Sequence, residues 1–179
     1  MAKNLLKILV MFTLVFVIVV IAQPCRFSVG RSITINAPAS VIFALVDDQQ
    51  QWERWSPWAK LDPTAKFTYG ESHAGLGSHA YWDGDAQIGK GSSTITESIP
   101  DQRIVFTLDI EKPMKTVDTL EFTFAPAGKA TEVTWTMEGN NDFMGKAAGL
   151  VMNCKKMIGD QFERGLNNLK SLAERTAQP

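Results

Sequence analysis

The sequence predicts an α+β protein: a curved antiparallel sheet of about six to seven strands around a long C-terminal helix, behind an N-terminal transmembrane helix. Three observations predict it. An uncharged run, apolar but for Thr13, fills Ile8 to Ala22. From Lys66 to Gly139 apolar and polar residues alternate between turn-forming Gly, Pro and Asp, the pattern of strands wetted on one face. From Phe143 to Ala173 there is no proline, and apolar residues recur at helical spacing. The chain divides into an anchor, residues 1–25, and one folded domain, residues 26–179.

The anchor comes first. Leu5 to Ala22 is eighteen residues with one charge, Lys7, whose stem can reach back toward headgroups. At about 1.5 Å per residue this is about 27 Å, close to one hydrocarbon core. Gln23-Pro24 ends the helix at the far interface. A cleaved signal peptide is the alternative. It needs a small-x-small site, and Ala22-Gln23-Pro24-Cys25 is a poor one. Pro24 also stands where a lipidated Cys25 would need a small residue. An uncleaved anchor is therefore expected, contacting the membrane through residues 5–22. Lys3 and Lys7 precede the span, and Arg26 and Arg31 follow it. This slight bias places the domain outside, on the periplasmic side of a single-pass inner (cytoplasmic) membrane protein.

The domain opens with a strand, Phe27 to Ala37, with Val29, Ile33 and Ile35 on one face. Pro38 suits the first turn of a short helix, "SVIFALVDD", with Ile42, Phe43 and Val46 inward. "DQQQWERW" continues as a second short helix and stops near Trp55, because Pro57 disfavours helical geometry at Ser56. "KFTY" is a short strand. "GSHAYWDGDAQIGKGSSTITESI" reads as a hairpin with Asp83-Gly84 at its turn. "RIVFTLDI" places Ile104, Phe106, Leu108 and Ile110 on one face. "TVDTLEFTFAP" does so for Leu120, Phe122 and Phe124, and "ATEVTWTMEG" for Val133, Trp135 and Met137. The last segment, Phe143 to Ala173, is expected as one helix of about 45 Å. Gly145, Gly149, Gly159 and Gly165 weaken it intrinsically, so packing on the sheet must hold it.

Composition excludes several functions. The net charge is −1, and no basic run tracks phosphates, so nucleic acid is not an expected partner. Cys25 and Cys154 read as two unpaired thiols rather than a bridge. No Cys/His spacing suits zinc. His73, His79, Asp83 and Asp85 have no metal-specific spacing, and His79, Tyr81 and Asp83 read as a polar outer face. The glycines near Gly75, Gly77, Gly89 and Gly91 precede no helix start and form no phosphate loop. There is no Gly-x-Ser-x-Gly elbow. No catalytic residue, metal ligand or cofactor is assigned.

The element order, strand, short helices, strands and long terminal helix, is the helix-grip arrangement. "SITINAPASVIFALVDD", "WERWSPWAKLDP", "GLGSHAYWDGDAQIGKGSSTITES" and "GDQFERGLNNLKSLAE" together resemble the START/polyketide cyclase (SRPBCC) superfamily, in a membrane-anchored, bacterial-looking subgroup. The resemblance covers roughly residues 27–175 and implies a cavity between sheet and helix for a hydrophobic or amphipathic small molecule. Alternation nominates Phe106, Leu108, Leu120, Phe122, Trp135 and Met137 for its wall. The helix adds Leu150, Cys154, Met157, Ile158 and Gln161. Asp118 shares its parity with Leu120 and Phe122; either it points inward, where a carboxylate would orient a ligand's polar head, or it sits at a strand end in water.

Three of the five tryptophans fall in Trp52 to Trp58. Trp52 and Trp55 share a helix face and are expected in the core. Trp58, beyond the Ser56-Pro57 turn, is expected at the cavity lip. The leading functional expectation is membrane-tethered binding of a lipid or polyketide-like molecule. A cyclase or dehydratase-type enzyme is the second reading, and a protein-interaction domain like the superfamily's chaperone activators is the third, with no protein partner identifiable.

Overall fold

The computed structural model describes residues 2–151 and 153–177; the ends of both predicted segments, 1 and 178–179, lie outside them. Helix α1 runs Ala2–Ala22. It includes a 20-residue stretch, Lys3–Ala22, with mean hydropathy 3.0, long and apolar enough to cross a bilayer. Strand β1, Arg26–Ile35, follows after three residues. Two short helices come next, α2 (Ala39–Asp47) and α3 (Trp52–Trp55), linked and followed by 3₁₀ turns. Strands β2 (Lys66–Tyr69), β3 (His79–Asp83), β4 (Lys90–Ile99), β5 (Arg103–Lys112), β6 (Thr116–Ala127) and β7 (Ala130–Asn140) form a continuous meander. Helices α4 (Phe143–Val151) and α5 (Cys154–Thr176) close the chain.

The seven strands make one antiparallel sheet in the order β1-β7-β6-β5-β4-β3-β2. Irregularities in the β4–β5 register at Lys90/Gly91 and Ile95/Glu97 bend it. Its inner face carries regular cross-strand rows. Val29, Met137, Leu120, Phe106 and Ile95 form one, and Arg31, Trp135, Phe122 and Ile104 form the next. The α2 helix and α5 cover this face, while the other face meets water, as the alternation predicts.

The predicted β3–β4 turn is longer than a two-residue hairpin. The Gly84 N–H donates to Gly89 O at 3.0 Å, closing a six-residue connection. Gly89 adopts φ +66° against the Lys112 carbonyl, so a side chain there would meet backbone.

The long C-terminal helix is α5, 23 residues, but the expected continuity from Phe143 to Ala173 does not hold. The stretch is two helices, because Asn153 leaves helical geometry (φ −80°, ψ 72°) and its side chain accepts the Lys156 N–H at 3.0 Å, capping α5. Only α5 lies on the sheet; α4 packs against α1 instead.

An aromatic layer holds α5 to the sheet. The Trp135 ring stacks on Phe162 of α5, with centroids 4.2 Å apart and planes 7° apart, and on Phe122 at 4.8 Å. Gly165 allows this approach. A Cβ there would stand 2.7 Å from the Trp135 ring and 3.0 Å from Pro57. Helix propensity alone would make Gly165→Ala a gain of about 1 kcal/mol. Collision with a fully buried ring should reverse the sign, to a loss of about 1–3 kcal/mol by urea unfolding.

Candidate functional site

The tryptophan motif is built onto α2. The Trp52 indole donates to Val46 O at 2.8 Å and the Trp55 indole to Leu45 O at 2.9 Å, which satisfies both rings and two carbonyls at the end of α2. Trp55 is fully buried and Trp52 half-buried. Trp52 touches Trp55, Phe106, Phe122 and Trp135, with centroids between 4.7 and 6.0 Å. Trp58 is half-buried and meets Trp135 and Phe162 edge-on, at 5.7 and 6.1 Å. These rings fill the centre of the layer between sheet and α5.

The expected wall residues thus fall into three groups. Phe106, Leu120, Phe122 and Trp135 are packed within the filled centre. Leu108, Asp118, Met137, Ile158 and Cys154 lie toward the end of the layer nearest α1, where Leu108, Ile158 and Cys154 remain half-buried. Leu150 and Met157 depart from the expectation, being 39% and 56% exposed. Leu150 sits on α4, beyond the break, so the α5 stripe does not extend to it. Met157 faces outward beside the inward Ile158.

Asp118 is the distinctive group. It is 4% exposed and pairs with Leu108 in register. One carboxylate oxygen accepts the Thr116 hydroxyl at 3.0 Å; the other, Oδ1, is buried with no partner. Oδ1 lies over Gly139, in space a Cβ would occupy, and the Phe27 ring edge stands 2.7 Å from that same position. Phe27, Gly139, Asp118, Leu108 and Ser93 therefore form one cross-strand row. Burial pushes the Asp118 carboxyl above the ordinary carboxylate range, opposed by the Thr116 hydrogen bond.

Two other inner side chains have a buried unpaired polar atom: Trp135 Nε1 and Gln161 Oε1. All three groups were nominated from alternation and helix phase. The reading missed Phe27, Gly139 and Arg31. Arg31 shares the inner parity of Val29 and Ile33, and its guanidinium lies across Gly159 of α5.

The histidines do not converge on this site. His73 Nδ1 lies 2.8 Å from Asp48, and His79 Nδ1 lies 2.9 Å from Thr94. Asp85 accepts the Gln87 N–H, and Asp83 faces Lys90 at 3.5 Å. Among the described residues, no group of three or more His, Cys, Asp or Glu is placed to hold a metal. Cys25 is exposed and Cys154 half-buried, both as free thiols.

A family model described as "Polyketide cyclase / dehydrase and lipid transport" matches residues 26–174. No curated protein matches the chain. Among solved structures, protein MLL2253 from Mesorhizobium loti is similar with TM-score 0.63 at 13% identity, over 85% of this chain and 100% of that one. The Aha1 dimer structure from Colwellia psychrerythraea gives TM-score 0.60 at 15% identity, over 83% and 96%. The di-domain ARO/CYC StfQ from the steffimycin biosynthetic pathway gives TM-score 0.66 at 11% identity, over 86% of this chain and 52% of that one. At these identities the likeness is one of fold.

The Asp118 environment sets a pH dependence. Its folded value is raised, so above the unfolded value of about 3.9 ionisation opposes folding. Below that value both states are protonated and the penalty vanishes. Asp118→Asn should therefore raise stability at pH 7, with the gain shrinking toward zero as the pH falls below about 3.9, by denaturant unfolding at both pH values.

Proposed function

Because the chain belongs to the polyketide cyclase/dehydrase and lipid transport family, we propose that it binds a hydrophobic or amphipathic small molecule, lipid or polyketide-like, while tethered to a membrane by α1. The observation that carries this reading is Asp118: a buried carboxyl with an unpaired oxygen, set in an apolar row at one end of the sheet. Burying such a group without a partner costs about 1–3 kcal/mol, which a ligand hydroxyl, amide or amine would offset. Its neighbours Leu108, Met137 and Ile158 offer an apolar bed for the rest of the ligand. Burial favours the neutral form of the carboxyl, and in that form it can also donate a hydrogen bond, which suits an ester or carboxylate head.

The apolar length of α1, which matches a bilayer, supports the tether. The charge bias about the span supports a periplasmic domain on the inner membrane. Trp58 is the proposed lip, since it borders the filled centre and stays half-buried.

The test is native mass spectrometry of the full chain from nanodiscs, with titration of a fluorescent fatty acid. A co-purifying small molecule and saturable fatty-acid binding are expected. Asp118→Leu and Trp58→Ala should each weaken binding about tenfold, equivalent to about 1.4 kcal/mol. Trp58→Ala should lower stability less than Trp55→Ala does. A chain that emerges empty and binds no fatty acid would sink the reading.

A further inference from the structure

We infer that α4 is a second membrane element, a short helix seated in the leaflet interface beside the C-terminal end of α1, so that the Asp118 end of the domain faces the bilayer. This rests on α1 lying in a membrane, as proposed above.

The backbone forces the location. The Asn141 N–H donates to the Cys25 carbonyl at 2.6 Å. Cys25 lies three residues beyond the end of α1, so the chain leaving β7 is held where α1 exits the bilayer. The α4 helix begins two residues later and packs against α1. In α1 nearly every side chain is exposed, but Val17 is half-buried and Val20 fully buried. Val20 is about 3 Å and Val17 about 7 Å along the axis from the end of the apolar run at Ala22. That is the depth at which an interfacial helix rests.

The chemistry of α4 suits that depth. Nine residues make about 14 Å, too short to span. Phe143, Met144 and Leu150 are 46%, 61% and 39% exposed, and Lys146 is its only charge, with a stem long enough to reach headgroups.

The surrounding surface continues the pattern. Outside α1, the exposed large apolar side chains among the described residues are Leu76, Ile99, Met114, Val117, Phe143, Met144, Leu150 and Met157. All but Leu76 and Ile99 lie at the α1 end: on α4, on the first turn of α5, or on the β5–β6 turn and the start of β6. Arg26, Lys112 and Lys115 are exposed at this end, where lipid phosphates would meet them. A one-sided apolar concentration of this kind marks an interaction surface, and the helix crossing the bilayer beside it specifies the leaflet as its occupant.

The experiment uses the full chain with Cys25→Ser and Cys154→Ser, in nanodiscs containing lipids spin-labelled high on the acyl chain. An environment-sensitive fluorophore is placed on Met144→Cys, Leu150→Cys, Phe12→Cys in α1, or Lys129→Cys in the distant β6–β7 turn. All four native side chains are exposed, and near-ultraviolet circular dichroism of the tryptophan cluster verifies each fold. The labels at 144 and 150 should lose at least half their emission, with the label at 129 unchanged. Quenching at 144 and 150 no greater than at 129 would overturn the proposal. If position 12 is still quenched, the tether stands and only the α4 assignment falls; if position 12 is also unquenched, the tether falls with it.

Discussion

The structure depends on one stacked contact. Trp135, fully buried on β7, lies flat against Phe162 of α5 and stacks, with its plane tilted by 27°, on Phe122 of β6. Flat rings at van der Waals distance need a backbone that can approach them, which Gly165 provides. The edges of Trp52, Trp55 and Trp58 close around the same rings, and two of these indoles hold the last carbonyls of α2. Sheet, short helices and terminal helix are thus fastened through one aromatic layer. Each ring buries about 150–250 Å², so the layer dominates the domain's hydrophobic stabilisation.

Filling the centre has a consequence for the site. The aromatic layer occupies the middle of the grip and leaves the row of Phe27, Gly139, Asp118 and Leu108 at its border. There a carboxyl sits in low dielectric with only the Thr116 hydroxyl for support. Small-molecule sites in general combine apolar walls with a few polar groups that set a ligand's orientation, which is the combination this row offers in its proposed role. The departure from helical geometry at Asn153 completes the separation, because α4 packs toward α1 while the α5 start, with Ile158, lies over this end of the sheet.

Much of this was legible in the sequence, for identifiable reasons. Period-two alternation located β5, β6 and β7 and which side chains face inward, including Asp118, because one wet face enforces a strict register. The long N-terminal helix α1 was legible from apolar length alone. The break near Asn153 was not, since no proline or charge run marks it and Gly149 is no stronger a signal than Gly159, which lies inside α5. The packing of the centre was also hidden. Alternation shows that Trp135 and Phe122 point inward, but whether inward rings line a space or fill it depends on Trp52 and Phe162, which arrive from distant segments. Arg31 carries conflicting signals, because its charge argues for water and its parity for the interior.

The three residues between α1 and β1, with the Asn141–Cys25 hydrogen bond beside them, leave the domain almost no freedom to swing. A protein on a long flexible stalk searches a volume; this one, in its proposed setting, searches a plane. Encounter with its ligand would then be governed by lateral diffusion and by concentration per unit membrane area. A compound that partitions into the bilayer, even when scarce in the surrounding water, would reach the domain at an effective concentration set by its partition coefficient.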